Sequence, residues 1–320
     1  MSTKLKNTQL EIKTICEGFG FSLVGFTRPN LPPEDIERLE DWIKSGKHGT
    51  MDWFAKDRAK EIRNEFKHLG FEPVSVVVLG YVYRSNQSET LLQSLPSKIS
   101  RYALGDDYHL VLREKGQHII KILKERYPSF KFRQSVDSLP IAEKVLAKQA
   151  GIGWQGKNTN IIHPKLGSYF FISTILTDMD LNPEESKMTD HCGSCRRCLD
   201  ICPTNALEEY KLDARKCISY QTIEDRKKVN LENPDLHNWV YGCDLCQEVC
   251  PWNLNVAMRN GVETDDPALL PRKFWKDNSF WDKKEFLETE FESLFKNSPI
   301  ERIGVDVWNR NWNGIVEPRK

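Results

Sequence analysis

The sequence predicts a mixed fold, α+β or α/β in class, with an α/β body, a cysteine-rich segment and C-terminal helices. Strand and helix patterns alternate up to about residue 180, which is typical of helices packed against a sheet. Eight of the nine cysteines then fall between residues 192 and 250. Aromatic, charged stretches such as 271–295 follow and are typical of helices that pack back on the body. We therefore expect domains at 1–180, 181–256 and 257–320.

Apolar spacing and punctuation residues define the elements of the body. The run VSVVVLGYVY (74–83) is almost continuously apolar and rich in β-branched residues, which predicts a central strand buried on both faces. Proline near the start and glycine near the end delimit helices at 32–46 and 139–151. The remaining predictions are helices at 5–19 and 107–126 and strands at 21–26, 130–138, 158–163 and 167–178.

Composition and charge exclude several classes of protein. Hydrophobic residues make up 39% of the 320 residues and charged residues 29%, which is typical of a globular rather than a disordered protein. The sequence contains no run of about 18 apolar residues, so it does not predict a membrane span. The 46 basic and 46 acidic side chains cancel, so binding to nucleic acid would need a local basic patch. The first residues lack the apolar core of a secretory signal, and we expect a cytoplasmic monomer without a membrane partner.

The cysteine spacing predicts iron–sulfur clusters. Cys192, Cys195 and Cys198 are followed by Cys202 and Pro203, which matches the bacterial ferredoxin run CxxCxxCxxxCP. In that run the first three thiolates bind one [4Fe–4S] cluster, whereas the fourth thiolate belongs to another cluster. One run is therefore incomplete by itself.

A second run completes the ligand count. By pseudo-symmetry, Cys250 of the run CxxCxxxCP joins the first cluster, while Cys243 and Cys246 join Cys202 in the second. Cys217 is the remaining cysteine of this region and supplies the last ligand. We predict a first cluster on Cys192, Cys195, Cys198 and Cys250, and a second on Cys202, Cys217, Cys243 and Cys246.

Two alternatives stay open for these thiols. Four-thiolate zinc sites also use CxxC pairs, although zinc ribbons do not need the CxxCxxCxxxCP pattern. Disulfides are rare in the reducing cytoplasm. Cys16 lies outside both runs, and we interpret it as a buried apolar residue of the first helix.

The stretch SRYALGDDYH (100–109) is unusually polar for a segment between apolar elements. It carries Arg101, Tyr108 and His109, which together with the clusters indicate a site that uses the electrons. The simpler interpretation makes Tyr108 and His109 core residues whose polar tips are satisfied by other groups.

Two further polar stretches follow in the body. VDSLP (136–140) places Asp137 at the carboxyl end of a strand, where open α/β sheets bind ligands. The three glycines of GIGWQGKNTNII (151–162) would let the backbone approach a flat ligand. As alternatives, Asp137 is the N-cap of the following helix and the glycines form a tight turn.

Five motifs together resemble the epoxyqueuosine reductase family, over about residues 10 to 310. They are RYALGDDYH, VDSLPIAEK, GIGWQGKNTNII, CISYQTIE (217–224) and YGCDLCQEVCPWN (241–253). The family is similar in chemistry to reductive dehalogenases. The resemblance implies a nitroreductase-like domain that binds cobalamin beside a ferredoxin-like domain with two [4Fe–4S] clusters. It also implies an enzyme that reduces epoxyqueuosine to queuosine at the wobble position of tRNA anticodons.

The same resemblance implies roles for individual residues. Asp137 matches the family's proton donor, and we expect burial near the corrin to raise the pKa of its carboxyl. Cobalamin contacts are implied for Arg101, Asp137, Lys157, Asn158, Asn160, Ser168, Ser219 and Thr222. The second cluster would lie nearer the cobalt. Electrons from a reductant protein, such as a flavodoxin-type donor, would reduce the cobalt to Co(I).

Tyr108, His109 and Arg226 are candidates for contact with the substrate. Arg226 begins the run Arg226, Lys227, Lys228, where family members often carry a glycine. We interpret this run either as a contact to the phosphates of the tRNA anticodon stem-loop or as a solvated charged face. Longer family members carry a helical-repeat extension that has no counterpart in these 320 residues.

Two other functions stay open from the sequence. A corrinoid reductase of a small halogenated molecule would use clusters and cobalamin without tRNA. An electron-carrier protein would need the clusters alone, since clusters move single electrons.

Overall fold

The computed structural model describes residues 3–184, 186, 188–226, 235–258 and 261–316. The strands are, in chain order, β1 (Leu23–Thr27), β2 (Ser75–Val82), β3 (Lys98–Ile99), β4 (Phe132–Ser135), β5 (Trp154–Gln155), β6 (Ile161–Ile162), β7 (Phe170–Thr177), β8 (Leu207–Glu208), β9 (Lys211–Leu212) and β10 (Trp239–Tyr241). The α-helices are α1 (Thr3–Gly18), α2 (Pro33–Lys44), α3 (Asp57–Glu65), α4 (Asn86–Ser94), α5 (Tyr108–Arg126), α6 (Glu143–Gln149), α7 (Arg197–Asp200), α8 (Ile218–Ile223), α9 (Leu245–Glu248), α10 (Pro251–Met258), α11 (Asn278–Trp281), α12 (Glu288–Phe295) and α13 (Gly304–Val316).

An antiparallel sheet in the strand order β1-β2-β7-β4 forms the centre of the body. Every residue of β2 is buried, and its side chains alternate between two cores. Val77 and Leu79 face the core that includes α1 and α5. Val76 and Val78 face the core that includes α3 and α6. The prediction of a central strand at 74–83, buried on both faces, is confirmed.

Helices on both faces of this sheet confirm the predicted mixed class. Cys16 lies on the buried face of α1, as predicted, and burial raises the pKa of its thiol to about 12. The sheet is antiparallel throughout, so the ligand-binding rule for parallel sheets does not explain the position of Asp137. The helix predicted at 139–151 begins only at Glu143, because the chain first turns through 136–142. Of the strand predicted at 158–163, only Ile161–Ile162 is extended, and it pairs with β5 rather than with the central sheet.

A short parallel pairing joins the cysteine-rich segment to the body. β10 pairs with β3, and the N–H of Ser100 donates to the carbonyl oxygen of Tyr241 at 2.9 Å. Gly242 follows with a φ of 70°, and a Cβ on it would lie 2.2 Å from Ser100 Oγ. Glycine is therefore required where the chain turns into the second cysteine run. The pairing places this run beside the loop that carries Arg101.

The C-terminal helices cover both the body and the cysteine-rich segment. Their aromatic side chains share one core with Ile99 and Leu104 of the body and Val240 of the cysteine-rich segment. Trp308 and Trp312 of α13 are fully buried in this core. Aromatic side chains of 271–295 contribute to the same core, as expected, and α13 lies within the C-terminal segment for which helices are predicted. The domain boundaries at 180 and 256 stay predictions. Across the described ranges, no helix combines the length and apolarity needed to span a membrane.

A substitution at Asn311 tests whether α13 stabilises the packing of the cysteine-rich segment. Its side chain is fully buried, and Nδ2 donates to the carbonyl oxygens of Thr222 and Val240 at 2.8 and 2.9 Å. Asn311→Ala removes a donor from two carbonyls, so we expect the free energy of unfolding to fall by about 2–4 kcal/mol. The control Asn313→Ala changes an exposed residue of the same helix and should cost no more than about 0.5 kcal/mol. Equal losses for both variants in urea unfolding would contradict this role.

Candidate cluster sites and active-site cleft

The structure brings Cys192, Cys195, Cys198 and Cys250 together as a first group of thiols. Burial raises the pKa of the Cys198 thiol to about 11, and the neighbouring thiols of Cys192, Cys250 and Cys195 add to the rise. Burial also raises the pKa of Cys250, and Cys192 and Cys195 contribute to that rise. Cys198 belongs to α7, and Cys250 immediately precedes α10.

Cys202, Cys217, Cys243 and Cys246 form a second group. Burial raises the pKa of the Cys243 thiol to about 12, and the charges of Asp244, Cys217 and Cys202 add to the rise. Burial likewise raises the pKa of Cys246 well above its ordinary value, with contributions from Cys243 and Cys217. Cys198 of the first group also contributes to the rise for Cys246, so the two groups lie near each other and the division into two ligand sets stays a prediction.

Backbone N–H groups point at sulfur in the second group. The N–H of Ala206 donates to Cys202 Sγ at 3.4 Å. The N–H groups of Tyr220 and Ser219 oppose the rise that burial causes in the pKa of Cys217. Such donors stabilise thiolates and tune a bound cluster. All nine cysteines are free thiols. In the part of the chain that the structure describes, no three His, Cys, Asp or Glu side chains meet around a single-ion site.

The loop between β4 and α6 presents Asp137. Its backbone is left-handed, with a φ of 48°, which is uncommon outside glycine but tolerated by aspartate. Its N–H donates to both carboxyl oxygens of Glu143 at 3.3 Å. Its carboxyl accepts a hydrogen bond from Tyr108 Oη at 3.1 Å and lies 3.8 Å from His109 Nε2. Tyr108, His109 and Asp137 are thus brought together, as the sequence predicts.

Protonation states in this group are shifted from their ordinary values. Burial and the charge of Asp137 raise the pKa of Glu143 to about 8, so this carboxyl keeps its proton near neutral pH. Burial opposes the charged form of His109, but hydrogen bonds to Asp107 and Asp137 raise its pKa to about 9. A neutral carboxyl and an imidazolium therefore flank Asp137. The Asp137 side chain itself is 64% exposed, so the expected burial of its carboxyl is not supplied by the protein chain.

Lys144 connects this group to the second cysteine group. Its Nζ donates to the carbonyl oxygen of Thr159 at 3.2 Å and to Asn160 Oδ1 at 3.3 Å. Desolvation by the surrounding protein lowers the pKa of Lys144, while the charges of Cys246, Asp137 and Cys217 oppose that change. The side chain is nevertheless exposed to solvent. Lys144 thus lies within electrostatic reach of both Asp137 and the second cysteine group, and we call the solvent-facing region around these groups the cleft.

Three polar groups lie at this cleft, where a flat cofactor would meet both Asp137 and the second cysteine group. They are a carboxyl at Asp137, an ammonium at Lys144 and an amide at Asn160. The contact of Asn160 with cobalamin stays a prediction. These donors and acceptors suit the amide-bearing rim of a corrin ring.

Arg101 and Lys157 lie elsewhere than predicted. The guanidinium of Arg101 is buried, and it donates to Glu89, Asp244 and Glu248 at 2.8–3.1 Å. Lys157 Nζ pairs with Glu209 at 2.8 Å. These carboxylates occupy the two cations, so direct contact of Arg101 or Lys157 with a corrin is not supported.

Asn158 and Ser168 position the second cysteine run instead of lining the cleft. Asn158 Nδ2 donates to the carbonyl oxygen of Cys246 at 3.2 Å. Ser168 Oγ donates to Gln247 Oε1 at 2.8 Å, and its N–H donates to Asn253 Oδ1 at 2.7 Å. Both residues are buried. These hydrogen bonds explain why Asn158 and Ser168 are polar although they are buried.

Ser219, Thr222 and Arg226 take three different positions around α8. Ser219 directs its N–H at Cys217. Thr222 is fully buried, and its Oγ1 donates to Ile218 and accepts from the N–H of Gly242, so a corrin contact by Thr222 is not supported. Arg226 is exposed at the end of a described range. The predictions for Lys227 and Lys228 lie outside the described residues.

The glycines of the stretch 151–162 are explained by the chain's own packing. A Cβ on Gly153 would lie 2.3 Å from the carbonyl oxygen of Ile162, and one on Gly156 would lie 2.5 Å from Ile162 Cδ1. Gly151 has a φ of 70° and approaches Ser186. These contacts favour the alternative interpretation, in which the glycines let a tight hairpin form.

Glu143 and Lys144 are site residues that the sequence analysis does not single out. Both belong to the motif VDSLPIAEK, at the start of α6. Their spacing from Asp137 could have predicted this contact. A turn that leads into a helix can bring the first residues of that helix back to the loop.

Two family models match the chain. The model described as "Epoxyqueuosine reductase QueG, DUF1730" matches residues 63–138. The model described as "4Fe-4S double cluster binding domain" matches residues 191–253, which supports iron–sulfur clusters over zinc for the two cysteine groups.

Proteins named epoxyqueuosine reductase are similar to nearly the whole chain. The protein from Leadbetterella byssophila is 35% identical over 308 residues, which cover 96% of this chain and 98% of that protein. The protein from Pseudomonas aeruginosa is 38% identical over 296 residues, which cover 91% of this chain and 80% of that protein.

Solved structures of epoxyqueuosine reductases share the fold. The enzyme from Streptococcus thermophilus superimposes with a TM-score of 0.79 at 27% identity, covering 97% of this chain and 80% of its own. A second structure, described as a complex with an epoxyqueuosine-modified tRNA stem loop, has a TM-score of 0.82 at 26% identity, covering 97% and 81% of the two chains. These matches confirm the predicted fold class. By its identity and coverage, the chain belongs to the epoxyqueuosine reductase family of oxidoreductases.

Proposed function

We propose that this protein reduces epoxyqueuosine to queuosine in the anticodon of tRNA. One observation carries the proposal beyond family membership: the charges of Asp137, Cys217 and Cys246 all act on the one exposed side chain of Lys144. A proton donor and a point of electron entry thus face the same space. Lys144 lies between them, where its ammonium offsets negative charge from either side.

The reaction needs both a proton source and an electron source. Two C–O bonds of the epoxide break, a C=C bond forms, and the oxygen leaves as water, which consumes two electrons and two protons. We infer that a small reductant protein delivers electrons singly to two [4Fe–4S] clusters on the two cysteine groups. A cobalamin bound in the cleft would supply a metal centre that delivers both electrons to the epoxide carbon.

The chain's own residues manage the proton. Asp137 would hold its proton toward the epoxide oxygen, and its exposed carboxyl is free to meet a substrate base that enters the cleft. Tyr108 and His109 fix the orientation of this carboxyl. Glu143 holds the Asp137 backbone in its left-handed conformation and keeps a second proton nearby.

The substrate base must leave its stack to reach the cleft, as in other enzymes that modify bases. A protein of zero net charge can bind an anticodon loop through a local patch, for which Arg226 stays a candidate. The small-molecule alternative predicts no salt-sensitive binding of anticodon stem-loop RNA, whereas the proposal predicts affinity that falls with salt.

Asp137→Asn tests the proton donor. The amide keeps the size of the side chain and can still accept from Tyr108, but it carries no acidic proton. We expect the rate of queuosine formation to fall about 10²–10⁴-fold, measured by nucleoside analysis of tRNA that carries epoxyqueuosine. Asp41→Asn, an exposed change on α2, should keep the parent rate. A parent rate in Asp137→Asn would remove Asp137 from the mechanism.

Glu143→Gln tests the shifted carboxyl by the pH dependence of stability. An unfolded chain releases the Glu143 proton near the ordinary pKa of 4.5, whereas the folded chain keeps it up to about pH 8. Between these values the folded state binds more protons, so the stability contributed by this group falls as pH rises. We expect the melting temperature of the parent to drop relative to Glu143→Gln between pH 5 and pH 8. The exposed control Glu125→Gln should follow the parent, and a pH-independent gap between the parent and Glu143→Gln would contradict the shift.

Paired cysteine variants test which thiols share a cluster. Cys202→Ser should lose about half of the bound iron, because one of two four-iron clusters loses a ligand. Adding Cys217→Ser should cost no further iron, since both residues serve the second cluster, whereas adding Cys192→Ser should remove most of the remainder. Cys16→Ser, in the core beneath α1, is the control and should keep all the iron. Equal iron in the two double variants would refute the crossed arrangement.

A further inference from the structure

Trp154 lies beside the first cysteine group and is not used by the mechanism described so far. It belongs to β5, and only 2% of its surface is exposed. Its ring packs in one apolar cluster with Cys250 and Cys192, which the proposed function assigns to the first cluster. Trp252 meets the ring edge-on at 4.9 Å and an angle of 76°, and His191 meets it at 4.9 Å and 79°.

The indole N–H of Trp154 is a buried donor without a hydrogen-bond partner among the described residues. A buried polar group in this state costs about 1–3 kcal/mol, so a partner supplied by a bound group is expected. The nearest chemistry is sulfur. Cys192 and Cys250 pack in the same apolar cluster as this indole. An iron–sulfur cluster bound by these thiols would bring sulfur beside the unpartnered N–H.

We propose that the indole N–H of Trp154 donates a hydrogen bond to a sulfur of the first cluster and raises the reduction potential of that cluster. The physical reason is the charge of the cluster. Reduction adds one electron, so a donor that contacts a ligand sulfur stabilises the reduced state more than the oxidised state. The inference rests on the proposed ligation of a cluster by Cys192 and its three partners.

The hairpin of β5 and β6 gives this hydrogen bond a place in the electron path. The strand that carries Trp154 continues into Lys157, near the first group, and Asn158, which bonds to the carbonyl oxygen of Cys246 in the second group. One rigid loop thus contacts both cysteine groups. A donor on the first group favours acceptance of an electron at the end of the path that lies farther from the Asp137 cleft.

Trp154→Phe in the enzyme with both clusters tests the proposal. The change keeps an aromatic ring but removes the N–H. We expect one of the two midpoint potentials, followed by electron paramagnetic resonance during a redox titration, to fall by about 59 mV, which is a tenfold change for a one-electron couple. The other midpoint should stay in place. Trp252→Phe is the matched control, because it alters the ring that packs against Trp154 and leaves the Trp154 N–H intact.

A second measurement tests the proposal if Trp154→Phe fails to fold or to bind clusters. Replacement of Trp154 by 3-benzothienylalanine keeps the shape of the ring and substitutes sulfur for the N–H. In pulsed resonance spectra of the reduced first cluster, one coupling to an exchangeable proton should be lost with this analogue. Unchanged potentials in Trp154→Phe together with an unchanged proton coupling in the analogue would overturn the inference. Absence of any cluster signal in the parent enzyme would instead show that the proposed ligation is wrong.

Discussion

The buried contact between Arg101 and Asp244 holds the second cysteine run against the body. Asp244 lies between Cys243 and Cys246, and only 2% of it is exposed. Its Oδ2 accepts from the backbone N–H of Arg101 at 2.9 Å and from the guanidinium at 3.1 Å. Burial raises the pKa of this carboxyl, and Arg101 opposes the rise. Without Arg101, a buried carboxylate would remain beside two thiolates, which is strongly destabilising. The position of the second group relative to the Asp137 cleft depends on this pair.

The cleft depends in turn on a balance of charge around Asp137. Three groups with shifted protonation surround one exposed carboxyl: Glu143 is neutral near pH 7, His109 is cationic, and Lys144 faces the thiols. An ionised Glu143 would add a second negative charge to this group. Instead, the protonated Glu143 accepts the Asp137 N–H and stabilises a left-handed backbone that would otherwise cost about 1 kcal/mol or more. The backbone of the loop is thus fixed by a hydrogen bond, while the carboxyl of Asp137 stays exposed to solvent.

The sequence predicts the elements of the body well because their signals are local. The buried strand β2 and the helix α5 follow directly from apolar periodicity, and the cysteine grouping follows from ligand counting. The sequence is less informative about residues whose partners are distant along the chain. The family resemblance implies cofactor contacts for Arg101 and Thr222, whereas their partners in the structure, Asp244 and Gly242, lie 143 and 20 residues away. No spacing rule reveals such contacts, since they depend on the pairing of β3 with β10.

The crossed cysteine runs explain why the segment needs the rest of the chain. Each run lends one thiol to the group built mainly by the other: Cys202 joins Cys243 and Cys246, while Cys250 joins Cys192 and its neighbours. Neither group can form from one run, so both runs must be docked before either ligand set is complete. Docking of the second run depends on Arg101 and on Asn158, which belong to the body. Cluster binding and the folding of the body around the cleft are therefore coupled, and metal affinity contributes to the stability of the whole fold. A chain organised in this way would align the proposed electron path with Asp137 during folding, because the same body loops position both.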